Sequence, residues 1–191
     1  MYNNYCHHLR FDFTIDNSNI LKAKESYKDL DKQMVFAFPL ETADVTFAKF
    51  LETLGLKMGH CEALYTPPHG ELMLHTDTWV PSNNVKINWV YDAEGSLVEW
   101  WIPKDPQKKL DLQLNPSGYK LIKYSKEECI KVWSDVSILD TAVMINSGIP
   151  HCVVNPSDKA RWCYSHEIVD IKTGKILQWY DATQIFKPWI L

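Results

Sequence analysis

From Cys61 onward the chain is a succession of short strand-like runs, most of them closed by a turn signal, and few folds accept such a pattern. The runs are Glu62–Thr66, Glu71–Val80, Val85–Tyr91, Ser96–Ile102, Tyr119–Tyr124, Thr141–Asn146, Cys152–Val154, Arg161–Ile171 and Lys175–Tyr180. Between them lie Pro67-Pro68-His69-Gly70, Pro81-Ser82-Asn83-Asn84, Asp92-Ala93-Glu94-Gly95, Asn115-Pro116-Ser117-Gly118, Asn146-Ser147-Gly148 and Asn155-Pro156-Ser157-Asp158. Such sequences turn because Gly accepts a positive φ, Pro fixes its own, and Asn or Asp bonds its local backbone. Short strands at close spacing bury their apolar faces against one another, as a sandwich or barrel. Lys172-Thr173-Gly174-Lys175 reads as one more hairpin turn. Ser125–Trp133 breaks the series: Ser125 followed three residues later by Glu128 has the form of a capping box and predicts a short helix.

The first sixty residues are mixed. Leu9, Phe11, Phe13 and Ile15 alternate with polar neighbours, the period of a half-buried strand. Asn19–Gln33 is polar, rich in helix formers and free of Pro and Gly. Within Thr42–Lys57, Phe47, Phe50, Leu51 and Leu54 share one helical stripe, and Gly55 marks the stop. At 191 residues the expectation is a single domain, 1–191, in which 1–60 supply strand and helix support and 61–191 the core carrying any site.

Composition narrows the partners. An apolar share of 46% suffices for a buried core, and a net charge of -4 without a basic stripe gives no signal for nucleic-acid binding. The five cysteines are odd in number and show no Cys-x-x-Cys spacing, which suits a reducing compartment and predicts a cytoplasmic protein. The N-terminus lacks the layout of a signal peptide, and no apolar run is long enough for a bilayer, so no membrane association is expected.

Three His-x-Asp/Glu pairs are present, His60/Glu62, His69/Glu71 and His75/Asp77, where roughly one would arise by chance. His69 belongs to a Pro-Pro-His-Gly turn, which would not hold two ligands on one face. His60/Glu62 opens a strand and stays open as a candidate. His75 and Asp77 lie inside Leu72–Trp79, where residues two apart share a strand face. His151, which follows a strand, a turn and Pro150, is the best third ligand, with His166 as its competitor. Two imidazoles and one carboxylate around one ion leave open positions, the arrangement of non-haem Fe(II) oxygenases.

His75-x-Asp77…His151, with Arg161 ten residues further on, resembles the Fe(II)/2-oxoglutarate-dependent dioxygenase superfamily, and is most similar to its small prolyl- or aspartyl/asparaginyl-hydroxylase-like members. The likeness runs from about Glu62 to Glu167 and includes Ile87-Asn88-Trp89-Val90-Tyr91 followed by Gly95-Ser96-Leu97-Val98-Glu99-Trp100. It implies a mainly β fold with bracing helices, a double-stranded β-helix (jelly roll, cupin-like). It also implies Fe(II) held by His75, Asp77 and His151, with 2-oxoglutarate and O2 as cosubstrates and Arg161 on the distal carboxylate of 2-oxoglutarate. Tyr91 or Asn88, which have opposite strand parity, would be a second cosubstrate partner, and Tyr65 a further pocket residue. The implied reaction is hydroxylation of an unactivated C–H bond in a small-molecule or peptide substrate, with release of succinate and CO2. Two positions depart from the pattern: Cys163 stands where many relatives have Ser, with Ser165 two further on, and Gly95-Ser96 stands for a Gly-Gly turn. The aromatic residues Trp79, Trp89, Trp100, Trp101, Trp133 and Trp162 are core candidates, with one of the adjacent Trp100-Trp101 pair as a substrate platform. The alternatives are a cupin-like Zn- or Mn-dependent isomerase or hydrolase and a non-catalytic jelly-roll binding module.

Overall fold

The computed structural model describes residues 3–27, 30, 32–38, 44–78, 82–107, 111–114 and 120–191. Its strands are β1 (Cys6–Leu9), β2 (Met34–Phe38), β3 (Leu56–Thr66), β4 (His75–Thr76), β5 (Val85–Tyr91), β6 (Leu97–Pro103), β7 (Asp111–Leu114), β8 (Lys120–Lys123), β9 (Cys129–Val136), β10 (Ala142–Asn146), β11 (His151–Val154) and β12 (Arg161–Asp170). The helices are α1 (Ser18–Ser26), α2 (Val45–Thr53) and α3 (Trp179–Ile185). The strands form two antiparallel six-stranded sheets, ordered β1-β10-β5-β12-β3-β2 and β7-β8-β4-β11-β6-β9. Consecutive strands β3, β4, β5 and β6 alternate between the sheets, and β9, β10, β11 and β12 do so again. That double alternation is the jelly roll. The β1 and β2 strands extend the first sheet at its two edges, so the N-terminal sixty residues are built into it.

The helices cover the outer face of the first sheet. Asp44 caps α2 by accepting the Phe47 N–H, and Phe47 and Leu51 are fully buried against Trp89, Tyr164 and Ile168. Burial of this kind is worth about 1.5–3 kcal/mol per large side chain. Gly55, at φ 73°, then turns the chain directly into β3, so the helix stops at the glycine that marks its end in the sequence. A smaller cluster of Cys6, Val98, Trp100, Val143, Ile145 and Val153 packs between the sheets. All five cysteines are buried free thiols. Among the described residues no helix is long and apolar enough to cross a membrane.

Several expectations are corrected. The alternation over Leu9–Ile15 is real in burial, but β1 ends at Leu9 because its partner β10 begins at Ala142 and offers nothing further to pair with. Ser125–Trp133 is not a helix: a single 3-10 turn at Lys126–Glu128 leads into β9. The Ser125 hydroxyl bonds the Glu127 carboxylate instead of capping the backbone. Ile130, Val132, Trp133 and Val136 favour a strand once β6 is available as a partner. The expected strand Lys175–Tyr180 makes only isolated bridges, Val169 with Ile176 and Asn84 with Gln178, before α3 begins at Trp179. Among the described residues of the Glu71–Val80 run, only His75–Thr76 joins a ladder. The Asn115–Gly118 turn, Trp79, Val80, Pro81 and the first two residues of the Thr42–Lys57 run lie outside the described residues.

His166 is packed on the helix-covered face, its ring centroid 5.3 Å from those of Phe47 and Trp89, with Nδ1 3.3 Å from the Ile87 carbonyl. Burial pushes its pKa down to about 3, against about 6.5 in an unfolded chain. Between those values the unfolded state binds the extra proton, so stability is complete above pH 6.5 and is lost as pH falls toward 3. The contribution lost between pH 7.5 and pH 5 is about 2 kcal/mol. Denaturant titrations at those two pH values should show the wild type losing more stability than His166→Leu by about that amount; equal losses would refute the assignment.

Candidate metal centre

The candidate ligands meet because β4 and β11 are antiparallel neighbours with His75 directly opposite His151. The ring centroids are 4.7 Å apart. Asp77 lies two residues beyond His75, just past the ladder, where its N–H donates to the Ser147 carbonyl at 3.1 Å. One donor atom from each of His75, Asp77 and His151 falls within 4.8 Å of the others. Each imidazole is oriented by a backbone bond: His75 Nδ1 lies 2.8 Å from the Met73 carbonyl and His151 Nδ1 2.9 Å from that of Ile149. Both Nε2 atoms are thereby left as lone-pair donors, as metal ligation requires. Asp77 Oδ1 is 3.2 Å from His75 Nε2, and Oδ2 is 3.0 Å from Lys86 Nζ.

The electrostatics keep the set in ligating form. Burial would push the Asp77 carboxyl up, but Lys86 and the two imidazoles outweigh it and hold the group well below the usual carboxylate range. Burial, helped by His75, pushes His151 down to about 4, so it is neutral at physiological pH.

A cavity of ≈ 270 Å³ opens between the sheets beside these residues. The first sheet contributes His60, Glu62 and Leu64 from β3, Lys86 and Asn88 from β5, and Arg161, Cys163, Ser165 and Glu167 from β12. Leu72, Val98 and Val153 supply apolar wall. On β3 the inward face is set by a bulge: the register against β12 shifts where Gly59 and His60 oppose Glu167. Leu56 and Met58 accordingly pack under the helices, whereas His60, Glu62 and Leu64 reach the cavity. A Cβ at Gly59 would stand 2.5 Å from Glu167 Oε1 and 2.6 Å from Val169 Cγ2.

Arg161 is 2% exposed, lies beside the Cys163 thiol, and pairs with no carboxylate among the described residues; its Nε has no hydrogen-bond partner there. Asn88 Oδ1 and Ser165 Oγ, on residues directly opposite one another in β5 and β12, are also buried and unbonded among the described residues. Leaving such atoms unpaired costs about 1–3 kcal/mol each. A ligand carrying a carboxylate at the Arg161 end and acceptors or donors along the sheet would satisfy them together. The donor set and this polar track therefore fit a divalent ion with an anionic cosubstrate.

Of the residues singled out in the sequence, the structure brings together His75, Asp77 and His151, with Arg161 and Asn88 lining the same cavity. Tyr91 and Tyr65 do not reach it. Both belong to the helix-covered core, and the Tyr65 hydroxyl donates to the Leu30 carbonyl at 2.6 Å. Strand parity decides between Asn88 and Tyr91 in favour of Asn88. His166 faces the same core as those tyrosines, which removes it as a ligand. The His60–Glu62 pair does line the cavity but is engaged with itself and Lys86. None of the described tryptophans lines the cavity: Trp100 is fully buried with Nε1 donating to the Asn146 carbonyl, and Trp101 packs under Lys126 on the other face. Sequence reading missed Lys86, Ser165 and Glu167 as wall residues, although Lys86 shares the parity of Asn88 and Ser165 that of Arg161.

The sequence matches no protein-family model and no curated protein. In fold the chain is similar to the non-haem α-ketoglutarate-dependent carbocyclase SnoK of nogalamycin biosynthesis, at 11% identity and TM-score 0.51, covering 86% of this chain and 81% of that one. It is similar to EvdMO1 at 13% identity and TM-score 0.51, over 85% of this chain and 45% of that one. A prolyl-4-hydroxylase of Pseudomonas putida aligns at 12% identity and TM-score 0.44, over 78% and 83% of the two chains. The first two likenesses are of fold.

Gly148 links the two halves of the ligand set. The β10–β11 turn presses on the segment after Asp77 so closely that a Cβ at Gly148 would lie 1.7 Å from the Ser82 carbonyl oxygen. Ser147 N–H also donates to the Asn84 carbonyl at 2.9 Å. Gly148→Ala must push backbone from backbone and separate Asp77 from His151. Titration with Co(II) should show metal affinity lowered at least about 10-fold in a folded variant; wild-type affinity would mean that this contact does not set the ligand spacing.

Proposed function

We propose that the protein is an Fe(II)- and 2-oxoglutarate-dependent oxygenase that hydroxylates an unactivated C–H bond of a small-molecule or peptide substrate, releasing succinate and CO2. The observation that carries the reading is the pairing of a two-imidazole, one-carboxylate donor set with a buried guanidinium that lacks a carboxylate partner among the described residues, in one cavity. The fold likeness to an α-ketoglutarate-dependent carbocyclase agrees with it. A metal jelly roll without a cosubstrate would have no use for Arg161 in that state, which weighs against the cupin-like isomerase or hydrolase.

Bound iron would couple O2 activation to oxidative decarboxylation of the 2-oxo acid. The chain's own residues do the rest. His75 and His151 present Nε2 because their Nδ1 protons are given to backbone carbonyls. Asp77 supplies the one negative charge of the set. Arg161 would grip the distal carboxylate of 2-oxoglutarate in a two-point contact, with the Ser165 hydroxyl and the Asn88 amide N–H as further donors to its oxygens. Leu64, Leu72, Val98 and Val153 would keep water from the space beside a bound metal. The buried free thiols suit a reducing, cytoplasmic setting.

The test is to mix anaerobic protein with Fe(II) and 2-oxoglutarate and follow the weak visible charge-transfer band of the chelate. The band should be absent in His75→Ala, and Arg161→Ala should need roughly 10- to 100-fold more 2-oxoglutarate, the worth of a charged hydrogen-bonded contact. A folded wild type that gives no band at saturating iron and cosubstrate would overturn the oxygenase reading, and metal analysis would then separate a Zn or Mn jelly roll from a binding module.

A further inference from the structure

Lys86 is an unusual residue to find where it lies. It sits in β5, a strand with neighbours on both sides, facing Glu167 on β12 and Ile145 on β10, with its side chain only 16% exposed. A lysine buried between sheets is costly unless its charge is met. Here it is met by two carboxylates, Asp77 at 3.0 Å and Glu62 at 3.4 Å, and both raise the Lys86 ammonium above its ordinary range in spite of burial.

The way the carboxylate oxygens are shared is specific. Lys86 takes Oδ2 of Asp77, while Oδ1 stays beside His75 Nε2 at 3.2 Å. Lys86 likewise takes Oε2 of Glu62, whose Oε1 is 3.1 Å from His60 Nε2. The β3 bulge at Gly59 is what turns His60 and Glu62 toward Lys86. The result is a row of side chains, His60–Glu62–Lys86–Asp77, ending on the candidate metal ligand.

We propose that Lys86, anchored by Glu62, is a positioning residue that withholds Oδ2 of Asp77, so that the carboxylate offers a metal one oxygen only. This inference rests on the oxygenase reading. A carboxylate bound through both oxygens would fill one of the positions that a three-ligand facial set leaves open. A 2-oxo acid needs two of those positions and O2 a third. Lys86 thereby preserves the space for chelation, and it does so without touching the cosubstrate site at Arg161.

A positive charge near the metal would also favour any anion, so the experiment separates charge from position by using two probes. Succinate carries the distal carboxylate of 2-oxoglutarate but lacks the 2-oxo group and so cannot form its chelate. Both are titrated anaerobically into Co(II)-loaded wild type, Lys86→Met, Lys86→Arg and Glu62→Gln, read by calorimetry and by the Co(II) visible spectrum. The expected result for Lys86→Met is 2-oxoglutarate affinity lowered at least about 10-fold, succinate affinity lowered less than about 3-fold, and a changed Co(II) spectrum before any ligand is added. Lys86→Arg, which keeps N–H donors, should retain 2-oxoglutarate binding. Unchanged 2-oxoglutarate affinity in Lys86→Met, or equal losses for both probes, overturns the proposal. If Lys86→Met does not fold, Glu62→Gln decides: a loss selective for 2-oxoglutarate of at least about 3-fold supports the proposal and no loss overturns it. Wild-type Co(II) protein that binds no 2-oxoglutarate would instead bring down the oxygenase reading, and this inference with it.

Discussion

Antiparallel pairing of His75 with His151 is the contact on which the rest of the site depends, and it is made by a strand of only two residues. Such a strand has little ladder of its own to fix its register, and a slip of one residue would send His75 to the far side of the sheet. The register is held from outside. On one flank β8 pairs with it, His75 against Lys123 and Thr76 against Ile122. Backbone bonds from Leu72 to Val153, from Tyr124 to Leu74 and from Asp77 to Ser147 pin the segment before and after the strand. Leu74 packs with Cys129 and Cys152 on the outer face, which leaves its neighbour His75 nowhere to point but inward. The juxtaposition of the candidate ligands is thus built into the same contacts that hold the second sheet together.

The interior between the sheets is used for two opposed purposes. At one end Val98, Trp100, Val143, Ile145 and Val153 form an ordinary apolar seam. Beside it the first sheet presents Arg161, Ser165, Asn88, Glu62 and Lys86 to the cavity. A folded chain tolerates such a face only where charges are paired or where a ligand completes them. Pairing accounts for Lys86, Glu62 and Asp77. It leaves the Arg161 Nε, Asn88 Oδ1 and Ser165 Oγ without partners among the described residues, and these atoms trace the part of the cavity that a bound ligand would fill.

Much of this is written in the sequence as strand parity. His75 with Asp77, and Arg161 with Cys163 and Ser165, fall on inward faces by simple alternation, and β5 matches its predicted run of Val85–Tyr91 residue for residue. The parts that were not legible share a physical cause, which is that the decisive partner lies far away in sequence. The strand β9 reads locally as a helix start until β6 is there to pair with it, and the short run Lys175–Tyr180 makes only isolated bridges before α3 begins. Tyr65 and Tyr91 read as pocket residues by the family resemblance alone. Both faces of the first sheet are covered, however, one by helices and one by the second sheet, so an apolar or aromatic residue gives no sign of which face it takes. The candidate ligands were easier to place because polar groups in a buried strand have few acceptable surroundings.

The Gly59 bulge shows how a local irregularity serves the remote site. Were β3 regular, the parity that puts Leu56 and Met58 under the helices would carry His60 and Glu62 there too, among the apolar Phe47 and Leu51. One extra residue opposite Glu167 reverses the alternation. The same step that spares the helix-covered core two polar groups delivers them to Lys86. Glycine is required there because a side chain would collide with Glu167 and Val169 across the strand pair. The bulge, the buried lysine and the Asp77 carboxylate are then one arrangement rather than three, since Lys86 meets both Glu62, which the bulge delivers, and Oδ2 of Asp77.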